Sequence, residues 1–481
     1  MQWWRHWSTR HAGGWARLYA LWVRWAPALA PLLRWLGEHR LSAWLLLPIE
    51  RWSKRVFFDC RMCGQCVLSS TGMTCPMNCS KQMRNGPCGG VRADGRCEVV
   101  PSMRCVWIEA GQGDARIAAP HTAGWTSRQR PWDANRQGRS TWIGLMQRQA
   151  VPAVASAPPP VAAAAPASAF EAACRAGDFL VTVEIAPPDS HDPARLLERA
   201  ARFRGLADAI NITDGAGANC HMSSVAAASV LTAHGFEAVC QVGCRDRNRI
   251  ALQGDVLGAA ALGVRNVLCL TGDDVSQGDH PGAKPVFDLD AVNLLHVLDG
   301  LRGGGRYASG RALDAPVPLF LGATANPFVP PYTERVANLE RKIDAGARFI
   351  QTQFCFDLPL LEAFMREVRR RGLHERAAFV VGVGTLPTAK RLRWMAEHVP
   401  GVHVPQAVTS RIAAAADQKA EGMRLCVETI HALRRIEGVA GVHLMGHRNE
   451  DTLVQVIVKT GLRPIGAVSP AISHTTLENT L

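Results

Sequence analysis

The feature that most constrains the fold is a repeated alternation of short β-rich runs and amphipathic helical runs after residue 169. The β-rich runs read FLVTVEIAPP, AINIT, FEAVCQVGC, VRNVLCLTGD, VPLFLGATA, RFIQTQFCF, AAFVVGVGT and VAGVHLMGH. Helical patterns such as YTERVANLERKIDAGA and LPLLEAFMREVRRRGL lie between most of them. About eight such units over roughly 300 residues predict an α/β fold, a (β/α)8 TIM barrel. An open dinucleotide-binding sheet is disfavoured because no G-x-G-x-x-G follows the first strand.

Eight of the 15 cysteines lie in one short stretch that precedes these units, with the spacing C-x2-C-x2-C-x8-C-x3-C-x8-C-x8-C-x7-C. Such close spacing lets one loop direct several thiolates at a single centre, and we predict that all eight are metal ligands. They suffice for two sites of four, and an iron–sulfur cluster and zinc fit this donor set equally. The seven scattered cysteines suit a reducing compartment. The predicted ligands are Cys60, Cys63, Cys66, Cys75, Cys79, Cys88, Cys97 and Cys105.

Changes in composition divide the chain into five predicted parts. The linker contains VPAVASAPPPVAAAAPASA, which cannot bury enough apolar surface to fold alone and predicts an extended tether. The parts are a Trp/Arg-rich helical segment (1–57), a cysteine-rich metal-binding domain (58–110), a Pro/Ala-rich linker (111–168), the barrel (169–470) and a C-terminal tail (471–481).

The N-terminal segment carries much of the excess positive charge. The formal net charge of +13 is concentrated there and in the linker, so it describes an appendage more than the barrel. Arginines interrupt every apolar stretch, which disfavours a signal peptide and a spanning helix. Helices packed on the protein surface and a helix lying in a membrane interface both fit residues 1–57. We expect a cytoplasmic protein, with peripheral membrane contact left open and no nucleic-acid partner.

Polar residues at the ends of the predicted strands are the candidates for chemistry, because barrel enzymes react substrates at that face. Glu184 ends the first strand, where a carboxylate is suited to general acid catalysis or to pairing with a barrel arginine. Gly272 would let the backbone approach a flat ligand, and Asp273 could hydrogen-bond to it.

Three further polar residues lie at helical spacing in the run NLERKIDAGA. They could bind a cofactor phosphate, although a solvated charged helix face is the usual explanation of such a pattern. These residues are Asn338, Arg341 and Lys342.

Several of these motifs, taken in order, resemble the methylenetetrahydrofolate reductase family. They are VTVEIAPP, LCLTGDD with its continuation GAKPVFDLD, NLERKIDAGARFIQTQFCFD and GVHLMGHRN, over about residues 178–465. The stretch from FDCRMCGQC to GRCEV resembles the cysteine-rich domain that accompanies some of these reductases as a partner subunit or a fusion. The resemblance implies FAD-dependent reduction of 5,10-methylenetetrahydrofolate to 5-methyltetrahydrofolate, or the reverse oxidation. The cysteine-rich domain would then be an electron relay or a structural metal site.

The resemblance also implies roles for individual residues. Glu184 matches the family's general acid, which assists opening of the five-membered ring of the substrate, and Asp273 matches the aspartate beside flavin and folate. Gln353 matches a folate-contacting glutamine, so Glu184, Asp273 and Gln353 are the implied substrate-binding residues. The implied FAD-binding residues are Thr213, Thr271, Gly272, Asp273, Asn338, Arg341 and Lys342.

The sequence departs from the family at two places. Gln241 and Gly243 stand where the family has a histidine-containing stretch, so one flavin contact of the family is not predicted. The run VGVGTLPTAKRL lacks the aromatic residue that stacks on nicotinamide in many members, which disfavours a pyridine nucleotide donor. The electron donor, NAD(P)H or a redox protein, stays open, as does a homo-oligomer. The alternative function is a pterin-binding methyltransferase without flavin, disfavoured because no D-x-H-x-x-G cobalamin motif is present.

Overall fold

The computed structural model of the chain describes residues 2–21, 24–25, 28, 40–117, 129–146, 165–385, 388–446 and 448–463. The predicted C-terminal tail and most of the predicted Pro/Ala tract lie outside the described residues.

Eight parallel strands of the described part close into a barrel in chain order, which confirms the predicted (β/α)8 architecture. The first and last strands pair with each other, with Leu180 opposite Gly441 and Val183 opposite Leu444. The strands are β1 (Leu180–Ile185), β2 (Ala209–Ile212), β3 (Ala238–Gly243), β4 (Asn266–Leu270), β5 (Phe320–Ala325), β6 (Phe349–Phe354), β7 (Ala378–Val383) and β8 (Val439–Leu444).

Helices surround the barrel and precede it. Those before the barrel are α1 (Gln2–Arg10), α2 (Arg40–Phe58), α3 (Val106–Asp114), α4 (Thr141–Met146) and α5 (Ala169–Ala176). Those between or after the strands are α6 (Ala194–Ala201), α7 (Ser224–Ala233), α8 (Arg249–Ala261), α9 (Ala291–Arg302), α10 (Tyr332–Asp344), α11 (Leu358–Arg370), α12 (Ala389–His398), α13 (Gln406–Ala414), α14 (Gln418–Leu433) and α15 (Glu450–Lys459).

Aromatic side chains fill the end of the barrel that receives the strand N-termini. Phe170 of α5 is fully buried and meets Phe320 and Phe349 edge-on, with ring centroids 5.8 and 5.3 Å away. Phe320 and Phe349 stack on each other at 5.1 Å. These rings share a core cluster with inward residues of the other strands, including Leu180 and Val380. The short helix α5 therefore closes this end of the barrel.

The next level of the barrel interior is polar. Thr182, Asn211, Gln351 and His443 are each at most 2% exposed. Because side chains alternate along a strand, Thr182 lies on the same side as Leu180 and Glu184 of β1. Apolar packing thus gives way to hydrogen-bonding groups toward the C-terminal ends of the strands, as a site for a polar ligand requires.

The N-terminal helices pack against the cysteine-rich region. Arg5 of α1 forms an ion pair with Glu109 of α3, with Nε and Oε2 2.8 Å apart and both side chains buried. Ser8 donates a hydrogen bond to the carbonyl of Phe57 in α2 at 2.6 Å. Among the described residues no helix is long and apolar enough to cross a membrane.

Residues 129–146, which fall in the predicted linker, fold onto the same region. Glu50 of α2 accepts hydrogen bonds from the backbone amide and hydroxyl of Thr141 at 3.1 and 2.7 Å, and pairs with Lys54 at 2.6 Å. Gln65 accepts from the amide of Asp133 at 2.8 Å. Residues 129–146 can pack there because they carry polar and aromatic residues that form hydrogen bonds with buried groups. The composition of the Pro/Ala tract offers no such groups.

We expect Phe349→Ala to lower the free energy of unfolding by about 3–5 kcal/mol, because it empties the aromatic layer that closes the barrel. Urea unfolding followed by far-UV circular dichroism measures this loss. The control is Leu262→Ala, at a side chain that is 61% exposed, which should change the free energy of unfolding little. Equal stability of the two variants would contradict the assigned role of the aromatic layer.

Candidate active site

Glu184 lies at the open end of the barrel beside a buried histidine. Its Oε2 is 3.7 Å from Nε2 of His443, and the glutamate side chain is 26% exposed while the histidine side chain is 2% exposed. Nδ1 of His443 is 2.9 Å from the hydroxyl of Thr182. Each ring nitrogen of the histidine thus faces a polar group, which fixes the orientation of the ring toward Glu184. The carboxylate can reach a ligand at the mouth while it is supported from below.

Three polar atoms near this carboxylate have no hydrogen-bond partner among the described residues. They are Oγ1 of Thr213, Oδ1 of Asn211 and Nε2 of Gln351. Asn211 and Gln351 do bond to each other across the barrel, Nδ2 to Oε1, at 3.1 Å. Buried polar atoms are normally paired, so the Thr213 hydroxyl at the strand end is available for a bound ligand. This agrees with the flavin-lining role that the resemblance implies for Thr213.

The loop after β4 presents Thr271, Gly272 and Asp273 at the same rim. Gly272 has a φ of +96°, and a Cβ there would lie 2.8 Å from Cβ of Arg245, so glycine is required. Asp273 is exposed and accepts a hydrogen bond from the amide of Gly217 at 2.9 Å. The carboxylate is therefore positioned by the loop after β2 and keeps a free side toward solvent.

Gln353 and Gln241 lie on inward-facing strand positions near the rim. The side-chain oxygen of Gln353 accepts from the amide of Phe354 at 2.9 Å, which leaves its amide nitrogen for a ligand. Gln241 occupies the place of the family's histidine-containing stretch, and its side-chain oxygen is 3.4 Å from the amide of Asp214. Gln241 thus contributes to the loop after β2.

The three predicted phosphate-binding residues on α10 do not face an open cleft. Asn338 donates a hydrogen bond to the carbonyl of Asn85 in the cysteine-rich region at 2.6 Å. Lys342 donates to the carbonyl of Thr324 in β5 at 2.6 Å. Burial lowers the pKa of Lys342 to about 8 and that of Arg341 to about 10. The structure brings these residues to the barrel rim, but beneath protein.

The segment 81–90 of the cysteine-rich region, which we call the docking segment, covers Asn338 and Arg341. Asp290, at the start of α9, accepts hydrogen bonds from the backbone amides of Arg84 and Asn85 at 3.0 and 3.1 Å. It also accepts from the Asn85 side chain at 2.9 Å. Arg335 donates to the carbonyl of Cys88 at 2.6 Å. The cysteine-rich region is therefore bound directly to the mouth of the barrel.

Lys81 connects the docking segment with the loop that carries Asp273. Its Nζ donates to the carbonyl of Gly272 at 2.8 Å and forms an ion pair with Glu98. Burial opposes its charge, but Glu98, together with Cys88 and Asp273, outweighs burial and raises the pKa of Lys81. A buried cation thus remains charged within electrostatic reach of Asp273.

The eight clustered cysteines separate into two sets of four. The first set lines one cavity together with Glu50 and Lys54 of α2. A hydrogen bond with Cys75 lowers the pKa of the Cys60 thiol to about 7. The first set is Cys60, Cys63, Cys66 and Cys75.

The second set lines another cavity, which also includes Lys81 and Glu98. Cys88 donates to Oε1 of Glu98 at 3.3 Å, and burial raises the pKa of the Cys79 thiol to about 12. In the part of the chain that the structure describes, no three His, Cys, Asp or Glu side chains lie close enough together to hold a metal ion. The metal prediction therefore stays a prediction. The second set is Cys79, Cys88, Cys97 and Cys105.

Sequence patterns did not indicate His443 or the contacts of the docking segment. His443 lies within an apolar strand. The one sequence signal that could have indicated it as a site residue is that it is a polar residue at an inward-facing position of β8. Asn85 and Asp290 are 205 positions apart, so their contact has no local sequence signal.

A polar mouth with a carboxylate at the end of β1 defines a barrel enzyme site of the TIM class. Residues 169–461 match the family model described as methylenetetrahydrofolate reductase, and the chain belongs to that family. Residues 44–132 match a model described as methylene-tetrahydrofolate reductase C terminal. The second match covers the cysteine-rich region and part of the residues on either side.

A curated relative is "Probable methylenetetrahydrofolate reductase (NADPH)" of Caenorhabditis elegans, 24% identical over 249 residues. The match covers 50% of this chain and 34% of that protein, so the chain spans about a third of the length of this relative.

Two solved structures are also similar. An uncharacterised Clostridium thermocellum protein, described as binding two copies of 5-methyl-5,6,7,8-tetrahydrofolic acid, is 12% identical with a TM-score of 0.43, covering 59% of this chain and 94% of its own. The EDTA monooxygenase of Chelativorans sp. BNC1 is 11% identical with a TM-score of 0.38, covering 60% and 95%. Similarity at this level carries no weight for function.

We expect Asn85→Ala to loosen the docking segment, because it removes the side-chain hydrogen bonds to Asp290 and leaves a buried carboxylate with fewer donors, at a cost of about 1–3 kcal/mol. Hydrogen exchange measured by mass spectrometry should become faster in residues 84–89 and at the start of α10. Asn135→Ala, at an exposed position, is the control and should leave exchange unchanged. Unaltered exchange in Asn85→Ala would show that these bonds do not hold the segment.

Proposed function

We propose that the chain interconverts 5,10-methylenetetrahydrofolate and 5-methyltetrahydrofolate at the mouth of the barrel, with a flavin as hydride carrier. The observation that carries the proposal is the place of Glu184, a partly exposed carboxylate at the end of β1 supported by the buried His443. Membership of the methylenetetrahydrofolate reductase family supports the choice of substrate. The name of the Caenorhabditis elegans relative supports the same reaction.

Glu184 acts as the general acid of this reaction. Opening the five-membered ring of the substrate releases a nitrogen that must gain a proton, and a carboxylic acid at the mouth can deliver it. His443 and Thr182 hold the glutamate in place through the chain of polar contacts beneath it. Gln353 and Asp273 lie at the same rim with polar atoms free to bind the pterin.

The rim suits the ring system of a flavin. The Thr213 hydroxyl, which has no partner among the described residues, can bond to a ring edge, and the exposed Asp273 lies at the same rim. When bound, a reduced flavin supplies the hydride that the substrate carbon accepts. Asp273 and the charged Lys81 set the electrostatic field at this edge.

The two sets of cysteines are proposed as two metal sites of four thiolates each. Iron–sulfur clusters would make the region an electron relay to the flavin, whereas zinc would make it a scaffold. The electron donor is proposed to be a redox protein if the two sites hold iron–sulfur clusters, and NAD(P)H if they hold zinc.

We expect Glu184→Gln to lower the turnover of methylenetetrahydrofolate by about 10²–10⁴-fold, because the amide cannot deliver the proton. The assay is anaerobic, with reduced viologen as donor, and flavin binding is measured in parallel and should persist. Glu198→Gln, at an exposed position of α6, is the control and should retain full turnover. An active Glu184→Gln variant would exclude the proposed acid.

We expect protein purified without oxygen to contain metal at both sets of cysteines. Cys60→Ser and Cys88→Ser should each remove about half of it, because each substitution breaks one set of four ligands. Elemental analysis, sulfide determination and the absorption spectrum together distinguish iron–sulfur clusters from zinc. Cys426→Ser, in α14 and outside both sets, is the control and should keep the full metal content. Metal-free wild-type protein would exclude both the relay and the scaffold.

A further inference from the structure

The helix α2 directs its charged pair inward and its apolar side chains outward. Glu50, Lys54 and Phe58, spaced by four residues, are buried, and Nζ of Lys54 lies 2.6 Å from Oε1 of Glu50. Ile49 and Trp52, spaced by three residues, lie on the opposite side of the helix and are more than half exposed. A helix on the surface of a protein in water normally has the reverse arrangement. The exposed side of α2 is therefore suited to an apolar neighbour.

A second exposed apolar stripe lies on the helical residues before α2, of which 12–21 and 24–25 are described. Leu18, Leu21 and Trp25 recur at spacings of three and four, so they share one helix face, and each is more than half exposed. In the described part of the chain, seven of the twelve exposed large apolar side chains lie between residues 4 and 52. The other five are scattered over the barrel, so only the N-terminal segment concentrates them.

The two stripes belong to helices that pack side by side. Trp15 contacts Phe57 and Phe58 near the end of α2, with ring centroids 5.1 and 5.2 Å apart. One turn further along the chain, Tyr19 lies within electrostatic reach of Lys54, nearer to the middle of α2. The N-terminal helix therefore runs antiparallel along α2, and its later residues approach the part of α2 that exposes apolar side chains. We call the two stripes together the N-terminal apolar surface, formed by Leu18, Leu21, Trp25, Ile49 and Trp52.

The charge around this surface is strongly positive. Residues 1–58 contain nine Lys and Arg residues but only two Asp and Glu residues. One of these two acids, Glu50, is buried against Lys54 and does not offset the exposed charge. An occupant of the surface should therefore combine apolar groups with negative charge. The exposed arginines beside the two stripes are Arg17, Arg24, Arg51 and Arg55.

We propose that the N-terminal apolar surface binds the headgroup region of a membrane that contains anionic lipids. Tryptophan suits the boundary between acyl chains and headgroups because its ring is apolar and its N–H is polar. Arginine binds lipid phosphate through charge-assisted hydrogen bonds. Since the apolar side chains lie along the sides of two helices, both helices would lie in the plane of the interface. A second copy of the chain fits this surface less well, because it would bring the arginines of both copies together.

The test is flotation of full-length protein with lipid vesicles. Vesicles with about one third phosphatidylglycerol should bind the protein at least about tenfold more tightly than vesicles of phosphatidylcholine alone, because arginines are attracted to the anionic surface. The double substitution Ile49→Ala and Trp52→Ala should weaken this binding about tenfold or more, because it removes apolar area from the interface. The matched control is Trp394→Ala, at a tryptophan of α12 that is also more than half exposed, and it should bind like wild type.

A second pair of variants tests the charge. Arg51→Gln combined with Arg55→Gln should reduce the preference for phosphatidylglycerol about fivefold or more, because two cations near the lipid phosphates are lost. The matched control is Arg391→Gln combined with Arg393→Gln, at two exposed arginines of α12, which should keep the wild-type preference. All of these residues are exposed, so each variant should retain the far-UV circular dichroism of wild type.

Two further measurements locate the contact and identify the occupant. Hydrogen exchange in residues 15–21 and 49–56 should become slower when anionic vesicles are added. Light scattering without vesicles should give the same molecular mass for wild type and for the Ile49→Ala, Trp52→Ala variant. Wild-type protein that does not float with anionic vesicles, or floats equally well with that variant's substitutions, would overturn the inference. A lower mass of the variant, without vesicle binding by wild type, would assign the surface to a second copy instead. The inference does not depend on the proposed reaction, so neither result affects that proposal.

Discussion

The joining of the barrel and the cysteine-rich region depends on the hydrogen bonds that the carboxylate of Asp290 accepts. Asp290 is 4% exposed, caps α9 by accepting from the amide of Asn293, and accepts further hydrogen bonds from Arg84 and Asn85. A buried charge without enough donors is costly, so the barrel and the cysteine-rich region satisfy this carboxylate together. Separation of the two regions would replace these protein donors by water, and would break all the hydrogen bonds between Asp290 and the docking segment at once. They therefore behave as one structural unit.

The barrel could be predicted from the sequence because its signals are local. A β-rich run followed by an amphipathic run is readable within one unit, and about eight units in series leave few alternatives to closure. The same logic placed Glu184 and Asp273 at the rim, since Glu184 lies at the C-terminal end of β1 and Asp273 lies in the loop that follows β4. What a local pattern cannot give is the identity of the group across the barrel. His443 is adjacent to Glu184 only because β8 pairs with β1.

The charged run on α10 shows that a local sequence pattern also cannot predict what a group of donors binds. Asn338, Arg341 and Lys342 have the spacing of a phosphate-binding face, and their composition does not distinguish a phosphate from a protein carbonyl as the acceptor. Both present oxygen to the same donors. The distinction depends on Gly86, a distant glycine whose backbone reaches the helix. Only the folded arrangement shows that two of the three residues meet the cysteine-rich region.

The second set of cysteines lies where the two regions share a network of polar contacts. Cys88 donates to Glu98, Glu98 pairs with Lys81, and Lys81 donates to the carbonyl of Gly272, directly before Asp273. The first set lies instead against Glu50 and Lys54 of α2. If both sets hold redox-active metal, electrons would pass from the first set through the second to the rim. Lys81 would then be a shared electrostatic element, since its charge acts on Cys88 of the second set and on Asp273 alike.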